Sequence, residues 1–415
     1  MDSLPVREET AEISLVPNKP FYVLGLDETI VDLEVHGCSF EMVKEMGLIP
    51  GESVVLESDT LCHLLDEVSA KGLTYRYSAG GTVANTMANY THLSGEPAVL
   101  LGAFPDHIVP GSPAFAYVAQ APKALSLDHL KTVQGNIGLA VTCFTPDGER
   151  SFGVVPGISG DFSAEDISES VVEDASVVLA SAYLIANPNR PIRHACLRLM
   201  QLAAEKEIPI AFGLGTAGLV RQLRQEIVDI LKAYVTVAAM NASEAEALTG
   251  ETDTLLACKK LLDWVDIAVV TEGASGLTLC GFTDDSAKRE TRLPVRSKSV
   301  ENYNQFEFSR LVRRRDCTNP LQVFSHTHPY RGGPEELGST SGAGDAALAA
   351  VLHDLAANHY HRATMPESLK HASPIPFLTY SSIARNAQYA NRVAYEVLKQ
   401  RSPRLEGAVG PDDEA

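Results

Sequence analysis

A chain of 415 residues with 45% hydrophobic and 21% charged residues has an ordinary globular balance, enough for one large α/β domain or two smaller ones. Its formal net charge of −19 argues against nucleic acid and anionic membranes as main partners, so a site for a phosphate-bearing ligand must supply its own positive potential from helix N-termini or a metal ion. No apolar run reaches the roughly 18–20 residues of a membrane span, and the seven cysteines are scattered without a C-x-x-C pair, which predicts buried or idle thiols rather than a zinc or disulfide framework.

In chain order, residues 1–20 are polar, contain Pro5, Pro17 and Pro20, and read as a flexible tail. Met1 to Glu12 has no apolar stretch behind a basic start, so no secretory signal is expected and a cytoplasmic location is. Phe21 to Leu26 predicts a strand, Thr29 to Val35 a second and Thr74 to Ser78 a third. Val83 to Leu93 predicts a helix and Ala98 to Leu101 a buried strand. Gly138 to Thr145 and Arg150 to Val155 predict a hairpin turning at Pro146, Asp147 and Gly148. With the early strands it forms a small β-sheet lid, placed at about 28–58 and 134–156.

From Val177 the pattern becomes regular. Strands at Val177 to Ala180, Ile208 to Phe212, Val235 to Met240 and Ile267 to Thr271 alternate with helices across Arg193 to Glu205, Leu219 to Lys232 and onward through Trp264. This predicts an α/β fold with a central, mostly parallel sheet flanked by helices, one domain spanning 21–400. Ligands in such sheets bind beyond the carboxyl ends of the strands. Two long irregular stretches, about 283–338 and 358–377, read as insertions; Arg313 to Arg315 reads as a solvated turn, and 401–415 as a second flexible tail.

Four motifs stand at strand ends. Ser339-Thr340-Ser341-Gly342-Ala343-Gly344-Asp345 runs into an apolar helix. Its glycines let main-chain N–H groups approach a negative charge at the helix head, and Asp345 in the first turn can accept a proton from an alcohol. The same pattern serves a plain Asp cap after a glycine loop. Gly80-Gly81 followed by Asn85 offers bare backbone and an amide to a polyol. Asn241 and Glu244, at i and i+3, suit either a hydrated Mg²⁺ ion or a capping box. Thr271-Glu272-Gly273-Ala274-Ser275-Gly276 is a further glycine turn, which alone reads equally as a β-turn.

Taken in chain order, with Gly80–Asn85 first, Asn241–Glu244 and Thr271–Gly276 next and Ser339–Asp345 last, the four motifs resemble the ribokinase-like (PfkB) kinase family over roughly Phe21 to Leu398. The resemblance implies Asp345 as catalytic base, with Gly342, Ala343 and Gly344 as the anion hole for the transferring phosphoryl group. It implies a sugar pocket of Asp32, Gly80, Gly81 and Asn85. For ATP it implies Asn241, Thr271, Gly273, Gly276, Thr340 and Asn391, and for Mg²⁺, through water, Glu244. ATP as co-substrate and Mg²⁺ follow, with K⁺ and a homodimer left open. Ser339 departs from the acidic residue usual there, which leaves the metal arrangement less defined. The segments Ala79 to Tyr90, Met240 to Glu251, Asn304 to Arg310 and Tyr380 to Leu398 are most similar to the bacterial branch acting on purine nucleosides, inosine and guanosine; adenosine or ribose are the alternative substrates.

Other patterns point elsewhere. Gly213 to Gly218 matches the G-x-G-x-x-G of NAD-dependent dehydrogenases, but the next strand ends in Met240-Asn241, without the acid that holds the adenosine ribose. The pairs His326/His328 and His359/His361 lack further ligands for zinc and read as surface or structural histidines. A non-catalytic nucleoside-binding protein would keep Asp32 and Asn85 without Asp345, which is present here.

Overall fold

The computed structural model of the chain describes residues 20–48, 53–146, 150–292, 299–300, 303–407 and 409. Among them a ten-stranded sheet runs in the order Pro320–Thr327, Leu277–Asp284, Ile267–Thr271, Val237–Asn241, Ile210–Gly213, Val177–Ser181, Val23–Leu26, Ala98–Pro105, Leu125–Ser126, with Leu130–Val133 also paired to Ala98–Pro105. Neighbours are parallel from Ile267–Thr271 onward, whereas Leu277–Asp284 and Pro320–Thr327 pair antiparallel at one edge. Every residue of Val23–Leu26 and Val177–Ser181 is buried, as parallel strands covered on both faces must be. One face packs against the helices Thr82–Ser94, Ala343–Thr364 and Ile383–Leu398. The other packs against Pro191–Glu205, Arg224–Tyr234 and Thr254–Leu261.

A second, five-stranded sheet has the order Ser53–Val55, Arg150–Val155, Gly138–Phe144, Ile30–His36, Thr74–Ala79. Along Ile30–His36 burial alternates. Val31, Leu33 and Val35 join one apolar cluster with Met42, Leu64 and Val68, which leaves Asp32 on the opposite face of the strand. The expected pair Gly138 to Thr145 and Arg150 to Val155 is present and antiparallel, and its turn residues 147–149 lie outside the described residues. Thr74–Ala79 joins this small sheet although it falls outside the bounds expected for it.

Three expectations need correction. The stretch 283–338, expected as an irregular insertion within the domain, is not irregular throughout, because Pro320–Thr327 returns beside Leu277–Asp284 and extends the main sheet. The sequence hides this pair: Leu277–Asp284 is buried throughout but reads LTLCGFTD, with polar residues between apolar ones, so it has no plain apolar run. The helix Ala343–Thr364 continues past Asn358, so the second irregular stretch is shorter than 358–377. The segment from Arg401 to Gly407 is no loose tail. It lies along the helix Thr82–Ser94, which presents Asn85, Asn89 and His92 to it at i, i+4 and i+7, one face of the helix. Apart from Leu405, which is buried in the apolar cluster, these contacts are polar and leave no apolar periodicity in the tail itself. Residues 1–19, 408 and 410–415 lie outside the described residues. All seven cysteines are free thiols.

Candidate active site

The strand Thr74–Ala79 ends in Gly80-Gly81, and the helix Thr82–Ser94 starts there. Gly81 has φ 87°, and a Cβ on it would lie 2.3 Å from Asp27 Oδ2, so only glycine fits the turn. Asp27 stands at the carboxyl end of Val23–Leu26. Its carboxylate accepts the Ala84 N–H at 2.7 Å and the Glu28 N–H at 2.9 Å, tying the first sheet strand to the head of the helix. A Cβ on Gly80 would lie 2.8 Å from both carboxylate oxygens of Asp32, so this acid from the small sheet rests against bare main chain.

The helix Ala343–Thr364 begins after Gly342, which has φ 82°. Its first internal bond runs from the Ala346 N–H to the Gly342 carbonyl at 2.8 Å, so the amides of Ala343, Gly344 and Asp345 precede the helix's own bonding. Open space surrounds the position where Gly344 would carry a Cβ. The Thr82 hydroxyl donates to the Asp345 carboxylate, and the Asn85 side chain hydrogen-bonds the same acid. Two motifs separated by more than half the chain therefore meet at one carboxylate.

Several acids crowd this place. Enclosure pushes Asp345 up to about 7, and the negative charges of Asp27 and Asp32 push the same way against the Thr82 and Asn85 bonds. Burial raises Asp32 to about 7 and Asp27 to about 6, each opposed by the Arg404 guanidinium. Burial and the neighbouring Asp27 raise Glu28 to about 7. Glu244 reaches about 7 through burial, with Asp345 adding to the effect. All five sit above the unfolded values of roughly 4. They favour the folded state fully below that pH, and the contribution is lost as pH rises through the folded values near 6 and 7. We therefore expect the melting temperature of the ligand-free protein to fall between about pH 4 and pH 7 and to level above that. Replacing Asp345 and Glu244 by their amides should flatten that fall, and an unchanged slope would mean that these acids are not enclosed in solution.

Beyond the sheet lies an open cleft of about 420 Å³, lined among others by Gly215, Thr216, Asn241, Glu244, Thr271 and Gly273. The capping box is complete: Glu244 N–H donates to Asn241 Oδ1 at 3.0 Å, and the Asn241 N–H donates to Glu244 Oε2 at 3.1 Å. Asn241 Nδ2 adds a bond of 2.5 Å to Glu244 Oε1. The box and the cleft coexist, because the buried Glu244 also feels Asp345 across the site. These side chains offer oxygen donors, which suits a hydrated Mg²⁺ ion. Among the described residues no three His, Cys, Asp or Glu side chains group to hold a metal.

The other expected residues take different places. Gly276 has φ 104°, and a Cβ there would lie 2.0 Å from the Thr327 carbonyl oxygen; the Asn391 amide donates to the His328 carbonyl at 2.5 Å. Both thus pack against the end of Pro320–Thr327, and neither is among the residues lining the cleft. Thr340 is exposed in the loop before the helix, where the Ser339 hydroxyl accepts the Ser341 N–H at 3.1 Å. The glycine turn resembling a dinucleotide fingerprint lines the same cleft, with Thr216 capping the helix Ala217–Gln222. His326 contacts Thr278 at 3.1 Å and Glu272 at 3.4 Å, and His361 contacts His371 at 2.7 Å.

Three residues of the site escaped the sequence reading. Asp27 had a signal, an acid directly after the first strand, and Thr82 stood next to the double glycine. Arg404 had none. It is only 7% exposed, donates from Nε to Asn85 Oδ1 at 2.9 Å, and reaches the carbonyls of Gly80 and Gln120, each at 3.4 Å. Its guanidinium lies 5.6 Å from the centre of the Tyr117 ring.

Comparison with known proteins follows the same lines. A family model described as pfkB family carbohydrate kinase matches residues 53–299. The guanosine-inosine kinase of Escherichia coli strain K12 is 43% identical over 385 residues, covering 92% of this chain and 88% of that protein. Among solved structures, adenosine kinase from Sinorhizobium meliloti superposes with a TM-score of 0.66 at 20% identity, covering 94% of this chain and 97% of that one. Adenosine kinase from Schistosoma mansoni in complex with 2-fluoroadenosine gives 0.62 at 18% identity, covering 93% and 97%. At these identities the two structures speak to the fold.

Proposed function

The chain belongs to the pfkB family of carbohydrate kinases, and we propose that it phosphorylates the 5′-hydroxyl of a purine nucleoside, guanosine or inosine, with ATP as donor. The single observation that carries this is the meeting of Gly80-Gly81 and Gly342–Asp345 at the Thr82–Asp345 hydrogen bond. It sets an acid beside a glycine-rich helix head and next to Asp32.

In the proposed reaction the nucleoside lies between the small sheet and the main domain, with Asp32 accepting ribose hydroxyls and Gly80, Gly81 and Asn85 lining the pocket. Asp345 takes the proton of the 5′-hydroxyl as its oxygen attacks the γ-phosphorus in line. The bond from that phosphorus to the β,γ-bridging oxygen breaks, and ADP leaves with the electron pair. Main-chain amides at Gly342, Ala343 and Gly344 receive the charge that develops on the transferring group. ATP lies along the cleft past Thr271 and Gly273, with Thr340, Gly276 and Asn391 around it. Glu244, with Asn241 beside it, would hold Mg²⁺ through water, and the ion would supply positive charge to the phosphate oxygens. Closure of the small sheet excludes the water that would otherwise hydrolyse ATP. No helix among the described residues is long and apolar enough to cross a membrane, and the enzyme would act in purine salvage in the cytoplasm.

The test is transfer of labelled γ-phosphate from ATP across a panel of guanosine, inosine, adenosine and ribose. The proposal expects guanosine and inosine monophosphates as the main products. Preferred transfer to adenosine or free ribose would replace the substrate, and absence of transfer to all four would overturn the kinase assignment.

A further inference from the structure

The C-terminal segment enters the proposed sugar site from behind. Arg76 of the small sheet donates to the Arg401 carbonyl at 2.8 Å. A Cβ on Gly342 would lie 2.5 Å from Pro403 Cβ, and one on Gly338 would lie 2.3 Å from the Gln400 carbonyl oxygen. The Leu405 N–H donates to Asn89 at 2.7 Å, Asn89 donates to the Pro403 carbonyl at 3.1 Å, and His92 contacts the Gly407 carbonyl at 3.0 Å. One strap of chain thus touches the small sheet, the glycine loop before Asp345 and the helix carrying Asn85. Arg404 is the side chain it sends inward.

We propose that Arg404 is a positioning residue of the nucleoside site: by gripping the Asn85 carbonyl and the Gly80 main chain it fixes the amide that reaches Asp345 and the backbone on which Asp32 rests. The geometry is directional. Because Arg404 Nε donates to Asn85 Oδ1, the Asn85 amide nitrogen is left as the donor for the Asp345 carboxylate when that acid is ionised. Because Arg404 also reaches the Gly80 carbonyl, the strip of main chain under Asp32 is held by the same planar fork. Pinning the strap does not require a buried cation, since the Asn89 and His92 bonds already hold Pro403, Leu405 and Gly407. Taking a guanidinium out of water is costly unless it meets charge. Around it stand the Tyr117 ring, 5.6 Å away, and at longer range the carboxylates of Asp32 and Asp27, at the sugar end of the site rather than in the ATP cleft. Nucleoside affinity, and not ATP affinity, therefore depends on this residue.

The inference rests on the nucleoside-kinase reading, and the full-length enzyme tests the two separately. Arg404→Ala should raise the KM for guanosine or inosine at least about tenfold, the scale of a lost charged hydrogen bond, while the KM for ATP stays within about twofold. Arg404→Lys, which keeps the charge and stem but loses the fork, should recover part of the loss, and added guanidinium ion should partly restore Arg404→Ala. Nucleoside KM at the wild-type value in both variants would overturn the inference. So would a parallel loss of both KM values, kcat and melting temperature with no recovery by lysine, which would mark a staple for the strap alone. If Arg404→Ala does not fold, the KM split in Arg404→Lys decides. Wild-type protein that transfers phosphate to no nucleoside would instead remove the reading beneath it.

Discussion

Replacing Asp345 with asparagine is expected to lower turnover by at least about 10²-fold while nucleoside still binds. The amide cannot take the proton of the attacking hydroxyl, yet its carbonyl oxygen can still accept the Thr82 hydroxyl, so the junction of the two helices has no reason to open. Removing one negative charge from a place shared with Asp27 and Asp32 should leave melting temperature equal or higher at neutral pH. The pH dependence adds an independent check. A base held near 7 in the free enzyme must lose its proton to work, so wild-type kcat/KM should rise with pH through about 7 and level above it. The residual rate of the variant should lack that rise. Turnover near the wild-type value, or an unchanged acid limb in the variant, would place the base elsewhere.

Asp32→Ala should act on the other substrate parameter. Its carboxylate stands on the open face of Ile30–His36 against Gly80, where charged hydrogen bonds to ribose hydroxyls are worth about 1.5–3 kcal/mol each. Nucleoside KM should therefore rise about 10- to 100-fold, with a smaller change in kcat and little in the KM for ATP. A second effect has a fixed sign. Asp32 is one of the charges that raise Asp345, so without it the acid limb of the pH profile should move to lower pH. Nucleoside KM unaffected by the substitution would move the sugar site away from this strand. The two variants also separate from each other: the first loses chemistry with binding kept, the second loses binding first.

The pH dependence of stability and of rate share one origin. Acids enclosed away from water, and crowded by one another, are hard to ionise. Asp27 shows how structure and site overlap. Its capping bonds to Ala84 and Glu28 hold the glycine turn, and the same carboxylate raises Asp345.

Sequence by itself determined what depends on local chemistry. Short apolar runs such as Val23–Leu26 and Val177–Ser181 announce buried parallel strands, because a strand covered on both faces has no polar side to show. The glycines at 81 and 342 announce turns that a Cβ would block, and Asp345 announces an acid in a first helical turn. Only the tertiary structure decided which of these signals meet. Thr82 and Asp345 become hydrogen-bond partners because two helices pack side by side on one face of the sheet, a distance in sequence that no spacing encodes. Pro320–Thr327 becomes the edge strand by pairing with Leu277–Asp284, from which a long polar stretch of sequence separates it. Arg404 lies in a polar tail whose partners, Asn85 and Gly80, come from the other end of the chain. A buried hydrogen bond between distant polar residues leaves no periodicity in either segment, so it is visible only once the chain has folded.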